Sequence, residues 1–218
     1  MLEYPKIETL FDRNEKFKVD ESKIRSGGFE LVDLYYVTEK IHGQNIRVEW
    51  KDSVLTFAPI NEDHPNNMPK DLLKFLQDTF TTDKMTDLYG AMSNITLFGE
   101  GCGAGIQKGG GNYSKTKTFV LFDVAVTDEN GRIWWLEPED MKAHASTLGI
   151  QYVPEMGMMP KSEIVKLAKG GFNSILAAEN EKVADHRAEG IIARTIPGLL
   201  MRDGRRLMFK LKESDFEK

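Results

Sequence analysis

Cysteine, long apolar runs and interdomain linkers are the features that this chain has least of. Cys102 is the one cysteine among 218 residues, so no internal disulfide can form, and the four histidines show no spacing typical of structural zinc. No apolar run approaches the roughly 20 residues that cross a bilayer, and the charged amino-terminal segment lacks the apolar core of a secretion signal. These absences argue against a secreted, zinc-bound or membrane-embedded protein and predict a cytoplasmic location without a membrane partner.

Positive charge is also scarce, because the formal net charge is −5. Proteins that coat nucleic acid without specificity depend on clustered lysine and arginine, so the overall charge argues against that class. Two stretches, 108–117 and 194–212, still carry several basic residues. Each stretch could line a local basic groove or simply be a solvated face.

Hydrophobic periodicity predicts an α+β domain of mainly antiparallel sheets with flanking helices. The turn residues DENGR lie between two apolar runs and predict a hairpin turn at 128–132. The length and the lack of a Pro/Gly/Ser linker predict one domain spanning residues 1–218. Period-two patterns predict strands at 34–41, 45–50, 54–58, 95–100, 118–127, 132–137, 189–195 and 206–212, and helical patterns begin near Pro69, Pro138 and Ser162 and after Asn173.

The first segment of chemical interest is YYVTEKIHGQNIRV, residues 35–48. Alternation places Tyr36, Thr38 and Lys40 on one face of a strand that ends near Gly43. A lysine can act as a nucleophile when its neutral amine is favoured by desolvation or by nearby positive charge. Lys40 is therefore either a nucleophile or an ordinary surface lysine at a strand end.

Glycine is concentrated in a second segment, LFGEGCGAGIQKGGGNY at 97–113. Such a density lets the backbone approach a ligand closely, or it marks a flexible surface loop. The segment lacks the GxxxxGK[ST] of a P-loop and does not meet the GxGxxG spacing. Glu100, at the end of the preceding strand, is a carboxylate that could accept hydrogen bonds from ribose hydroxyls.

Three further segments carry candidate binding groups. Phe122 lies in the apolar strand TFVLFDVAV, where it is either core or a platform on which a purine stacks. Glu189 precedes the apolar run GIIAR and could hold Mg²⁺ through oxygen. Lys210 and Lys212 lie two apart and therefore share a strand face, as also occurs on solvated antiparallel faces.

Taken in order, the segments EKIHG, FGEGCGAGIQKG, LFDV, EGIIAR and KLK resemble the nucleotidyltransferase motifs of covalent ligases and capping enzymes. They are most similar to the double-strand nick-sealing RNA ligases of the phage RNA ligase 2 type, from about residue 34 to 216. The resemblance implies an ATP-grasp-like adenylation fold. It also implies an ATP-dependent RNA ligase that uses Mg²⁺ or Mn²⁺ and acts on RNA with 5′-phosphate and 3′-hydroxyl ends, including nicked duplexes.

The same resemblance assigns roles to residues of this chain. Lys40 becomes the nucleophile that carries AMP, Glu39 lies beside the adenine edge, and His42 takes the third position of the lysine motif. Glu100 then binds ribose and Phe122 stacks on adenine.

At the carboxy-terminal motifs, the resemblance makes Glu189 the metal ligand. Lys210 and Lys212 contact the phosphates. Arg194 and Arg202 supply further positive charge near them.

The chain departs from the family pattern in two places. Relatives carry an arginine about twenty residues after the lysine, where this chain reads FAPINEDH at 57–64. Relatives also continue beyond the KLK motif into an appended domain, whereas this chain ends at KLKESDFEK. We therefore expect a catalytic domain without a carboxy-terminal appendage, able to adenylate itself and poor at sealing.

Several functions remain open on the sequence alone. A capping-type guanylyltransferase shares the fold and the lysine chemistry, although His42 and GIQKG favour a ligase. A minimal DNA ligase and a non-catalytic RNA-binding module also remain possible. A protein kinase is excluded because the chain has neither an HRD-type loop nor a DFG sequence.

Overall fold

The computed structural model of the chain describes residues 1–62, 64–90 and 94–216. Asp63, in the segment without the relatives' arginine, and Glu217 and Lys218 at the chain end lie outside the described residues. The helices are α1 (Gly27–Leu31), α2 (Lys70–Thr79), α3 (Thr82–Tyr89), α4 (Pro138–Leu148), α5 (Lys161–Gly170) and α6 (Ile175–Glu181). The strands are β1 (Glu8–Thr9), β2 (Phe11–Arg13), β3 (Val19–Ile24), β4 (Leu34–Lys40), β5 (Gln44–Lys51), β6 (Val54–Pro59), β7 (Asn94–Cys102), β8 (Thr118–Thr127), β9 (Ile133–Trp135), β10 (Gln151–Tyr152), β11 (Glu155–Pro160), β12 (Gly190–Arg194) and β13 (Met208–Lys212).

These elements form two compact units. Unit 1 comprises Met1–Tyr4 and His42–Tyr152, and unit 2 comprises Pro5–Ile41 and Val153–Lys218. Across the described ranges, no helix is both long enough and apolar enough to cross a membrane.

Unit 1 is built on a six-stranded sheet with the order β10-β8-β7-β5-β6, in which β9 also pairs with β8. All its strand pairs are antiparallel except β10 with β8. Its core joins apolar side chains of the sheet, such as Trp50 and Leu97, to Leu72 and Leu76 of α2 and Met141 of α4. The helices therefore cover the sheet face that the strands make apolar.

Unit 2 is built on a five-stranded sheet with the order β1-β13-β12-β4-β11, antiparallel except for β1 with β13. Helix α5 packs on this sheet, and its buried Ile164 and Ala168 join a core that includes Val37, Ile191 and Phe209. A separate hairpin, β2–β3, completes the unit.

The α+β class and the mainly antiparallel pairing predicted from the sequence are confirmed. The predicted hairpin at 128–132 is also present, with the Asp128 amide donating to the Arg132 carbonyl over 2.9 Å and Gly131 at a φ of 76°. The sequence did not predict α1, α3, β1–β3, β10 or β11. Most of these are short, and β11 reads EMGMMP, which contains no β-branched residue.

The tight packing behind β7 predicts that Gly99→Ala destabilises the protein. A methyl group at position 99 would lie 2.3 Å from the Phe119 ring, and that ring already packs edge-on against Phe80 at 5.7 Å. Because overpacking a filled core typically costs about 1–3 kcal/mol, we expect the urea midpoint to fall. Gly170→Ala is the matched control, since a side chain at this helix end meets open space. Equal midpoints for the two variants would contradict this packing argument.

Candidate active site

Lys40, Glu189 and Lys212 are brought together at one end of the central strand of unit 2. Gly190 is the Cα partner of Lys40 on one side and of Lys212 on the other. The Glu189 carboxylate accepts from the Lys40 ammonium at one oxygen and from the Lys212 ammonium at the other. Only 14% of the Glu189 side chain is exposed, so this double ion pair is largely shielded from water.

Glycine at position 190 is required by how closely β12 and β13 approach. A Cβ there would lie 2.2 Å from the Leu211 carbonyl oxygen. Since any side chain would push the strands apart, the Glu-Gly pair is what lets the carboxylate reach lysines on both neighbouring strands.

Lys210 joins this cluster from the next position on the same face of β13. Cross-strand partners in an antiparallel sheet share a face, so the pairing places Lys40, Lys210 and Lys212 on one side of the sheet. Burial and then the positive charges of Lys40 and Lys212 lower the pKa of Lys210. The face therefore carries an excess of positive charge suited to an anion.

The carboxylate responds to the same charges in the opposite direction. Burial acts to raise the pKa of Glu189, but the ammonium groups of Lys40 and Lys212 outweigh it, so the pKa lies below its ordinary value of 4.5. Glu189 is thus held as an anion between two cations.

The two predicted arginines lie outside the lysine cluster. Arg194 is buried at the other end of β12, on the same sheet face but four residues from Gly190, or about 13 Å along the strand. Arg202 is exposed in the turn between β12 and β13, where the Met201 amide donates to the Arg205 carbonyl over 2.7 Å.

Glu39 points away from Lys40 and caps a helix. Its carboxylate is 1% exposed and accepts hydrogen bonds from Ser174 Oγ at 2.5 Å and from the amides of Ile175 and Leu176 at 2.9 and 3.1 Å. These groups form the amino-terminal end of α6. Burial raises the pKa of Glu39, although the three hydrogen bonds act to lower it. The strand period placed Glu39 opposite Lys40, but nothing in the sequence pointed to Ser174.

Glu100 and Gly43 lie close together in unit 1. Glu100 is 6% exposed on β7, and a Cβ at Gly43 would lie 2.8 Å from the Glu100 Cγ and 2.3 Å from the Gly101 carbonyl oxygen. Gly43 therefore has to be glycine, because a side chain there would clash with Glu100 and Gly101. His42 is partly exposed in the turn just before it.

Phe122 occupies a β-bulge in β8. Asp123 pairs with Phe98 and Leu121 pairs with Gly99, so Phe122 is the extra residue between them. Bulges re-aim a side chain, and Phe122 is indeed partly exposed in a strand whose neighbours are buried. The ring of Tyr4 packs edge-on against it at 5.3 Å, and the Tyr4 hydroxyl donates to Asp123 over 2.7 Å. No pattern in the sequence pointed to the participation of Tyr4.

The glycine-rich segment after β7 folds back on itself. Ile106 and Tyr113 are buried at 4% and 1% exposure, and a Cβ at Gly110 would lie 2.3 Å from the Gly103 carbonyl oxygen. Gln107 adopts a φ of 56°, and its Nε2 donates to the Gly43 carbonyl over 3.4 Å. The loop is thus anchored by its own packing.

At Glu189, a divalent cation fits as a partner of a bound phosphate. Among the residues that the structure describes, no group of three or more His, Cys, Asp and Glu side chains could hold a metal ion. Mg²⁺ is commonly held by one or two carboxylates together with substrate phosphates. Glu189, a single carboxylate among lysines, fits that second arrangement.

A cleft of about 700 Å³ opens beside Glu189 within unit 2. Its lining includes Lys18, Arg187 and Phe216. Its volume falls in the range of sites that take small molecules, about 300–1,000 Å³.

The ion pairs at Glu189 predict a distinct acid dependence of stability for Glu189→Gln. A carboxylate with a lowered folded pKa stabilises the protein above the unfolded value, and this contribution disappears as pH falls through the folded value. We expect the variant to be less stable by about 1–3 kcal/mol near neutral pH, with the difference shrinking below pH 4.5.

Urea unfolding across that pH range measures the difference, and Glu129→Gln on the exposed 128–132 turn is the control. A difference for Glu189→Gln that stays constant down to the most acidic point would contradict the lowered pKa.

The family model described as RNA ligase matches residues 33–212. A Naegleria gruberi RNA ligase mutant solved with ATP and Mn superposes with a TM-score of 0.62 at 17% identity, covering 97% of this chain and 61% of that one. An apo mutant of that ligase has a TM-score of 0.62 at 18% identity, and the ligase with pyrophosphate has 0.61 at 17%. Each of these two matches covers 97% of this chain and 62% of the ligase chain. At such low sequence identity, the similarity shows the fold alone.

Proposed function

The chain belongs to the RNA ligase family, and from that premise we propose that it is an ATP-dependent RNA ligase whose nucleophile is Lys40. The observation that supports this most is the lysine cluster of unit 2. It combines an amine at a strand end, a shielded carboxylate partner and two more cations on the same sheet face. The chain spans about 61% of the length of the ligase structures it matches, so the activity of such a whole protein is part of the proposal.

The first step joins AMP to the protein. Lys40, after losing a proton to water, attacks the α-phosphorus of ATP. A nitrogen–phosphorus bond forms, the bond from that phosphorus to the bridging oxygen breaks, and pyrophosphate leaves with the electron pair. Lys210 and Lys212 stabilise the charge on the phosphate oxygens, which is the main catalytic demand of phosphoryl transfer.

Glu189 serves this step by holding Lys40 and Lys212 in place before the nucleotide binds. A divalent cation, when bound, would neutralise further phosphate charge, and Glu189 is the residue that would hold it. Because one carboxylate cannot fully serve two lysines and a cation at once, nucleotide binding is expected to release at least one ion pair.

The family motifs supply the residues proposed for the nucleoside. Glu100 would accept hydrogen bonds from the ribose hydroxyls, and the bulged Phe122 would stack on adenine. Glu39 is left out of this assignment, because its buried carboxylate caps α6 on the side away from Lys40. His42 would take the third position of the lysine motif. Arg194 and Arg202 would add positive charge for phosphates.

Two further steps complete the joining of RNA. An oxygen of an RNA 5′-phosphate attacks the phosphorus of the lysyl-AMP, the nitrogen–phosphorus bond breaks, and Lys40 regains a proton. A 3′-hydroxyl then attacks the activated 5′-phosphorus, loses its proton, and displaces AMP. RNA ends carrying these groups, including those at a nick in a duplex, are the proposed substrates.

Lys40→Ala tests the central assignment. Without the amine no covalent adduct can form, so α-labelled ATP with Mg²⁺ should leave the variant unlabelled while wild type is labelled. Lys23→Ala, which removes an exposed lysine of the same unit, should label like wild type. Label that persists on the Lys40 variant, or maps to another lysine in a digest of wild type, would overturn the assignment.

Joining assays test the substrate. We expect the purified protein to join 5′-phosphorylated RNA at a nicked duplex better than free single strands, and to accept a preadenylated RNA donor without ATP. Matched DNA substrates and GTP serve as the comparisons. Equal joining of DNA would favour a minimal DNA ligase, and labelling by GTP as strong as by ATP would favour a capping-type enzyme.

A further inference from the structure

The glycine-rich loop of unit 1 carries positive charge that the proposed chemistry at Lys40 does not use. Lys108, Lys115 and Lys117 all lie between Glu100 and Asp123, and residues 101–122 contain no acidic residue. In a chain with a formal charge of −5, such a stretch is a local exception. Repulsion from the whole protein would oppose RNA binding, so a local cationic surface is what binding requires.

Folding concentrates these lysines over the loop. The Lys117 Nζ lies 3.2 Å from where a side chain at Gly105 would begin, and the Lys115 Nζ donates to the Gly111 carbonyl over 3.0 Å. Lys108 is exposed between those two points of the loop. Neither Lys108 nor Lys117 forms an ion pair within residues 1–62, 64–90 and 94–216.

The loop also has a fixed shape on which to present this charge. Buried Ile106 and Tyr113 anchor it, and the Ala104 amide donates to the Ser114 carbonyl over 2.9 Å. A surface that is ordered before binding loses less entropy when its partner arrives.

We propose that the loop 103–117, through Lys108, Lys115 and Lys117, binds the sugar–phosphate backbone of the RNA strand that is to be joined. This proposal rests on the proposed function, because it names the RNA-contacting surface of that enzyme. A repeated phosphate backbone fits several ammonium groups that lie exposed or partly exposed on one loop. The triphosphate of ATP is served by the lysine cluster of unit 2.

The test compares two double variants in the full chain. Lys108→Ala with Lys117→Ala removes two loop charges. Lys51→Ala with Arg132→Ala removes two exposed charges from the opposite end of the same sheet, since Lys51 pairs with Asn94 and Arg132 follows the far end of β8. Binding of a labelled, 5′-phosphorylated RNA of mixed sequence is measured by fluorescence anisotropy over a series of salt concentrations.

We expect the loop variant to bind RNA more weakly and the slope of log affinity against log salt to fall by about 1 for each lysine removed. The loss should be uniform across RNA sequences, because phosphates carry no sequence information. The sheet-end variant should bind like wild type. Lys108→Arg with Lys117→Arg should restore binding, which would separate loss of charge from damage to the loop.

Labelling with α-labelled ATP distinguishes this proposal from the proposed function. The loop variant should be labelled at the wild-type rate, since Lys40 and its neighbours are intact. An unchanged salt slope, equal losses in both double variants, or slower labelling together with unchanged RNA binding would each overturn the loop proposal. Absence of labelling in wild type would instead contradict the proposed function, while the comparison of RNA binding between the two double variants would remain valid.

Discussion

The candidate site depends on one constraint, the passage of β12 between two lysine-bearing strands without a side chain at Gly190. Because that position has no side chain, β13 packs closely against β12, and the carboxylate of Glu189 meets ammonium groups from both neighbouring strands, β4 and β13. The two ammonium groups beside Glu189 lower the pKa of its carboxylate. The pKa of Lys210 is lowered first by burial and then by the charges of Lys40 and Lys212.

The lysine cluster is energetically unfavourable while no nucleotide is bound. The ammonium groups of Lys40, Lys210 and Lys212 repel one another, and the carboxylates of Glu189 and Asp215 offset this repulsion only in part. Burial removes the water that would screen these charges. A polyphosphate bound there, as we propose, would relieve this repulsion, so part of its affinity would come from the repulsion that it removes. We regard the lysine cluster as a place where local stability is given up for binding.

Much of the fold could be predicted because strand patterns in this chain are strong. The alternation of β4, β5 and β8 is carried by Val, Ile, Tyr and Phe, which favour strands on their own. In contrast, β11 is a strand because β4 lies beside it, and its sequence holds no such preference. Local periodicity cannot detect a strand that tertiary pairing alone creates.

The candidate site, too, could be predicted from the sequence only in part. The lysine pair on β13 and the glutamate before β12 could be placed from motif order and strand period. Glu39 shows what could not, because its partner Ser174 is 135 residues away and only the folded chain brings them together. Tyr4 is a similar case, since nothing in the sequence around it indicates that its ring will pack against Phe122.

The bulge at Phe122 has a consequence for comparing this chain with distant relatives. One extra residue there shifts the inward–outward phase of β8, so positions before and after it cannot share a single alternating register. A relative whose strand runs without the bulge will align correctly only with a one-residue gap beside Phe122. An ungapped alignment would pair residues from opposite faces of the sheet over half of the strand, and would hide the equivalence of the aromatic residue itself.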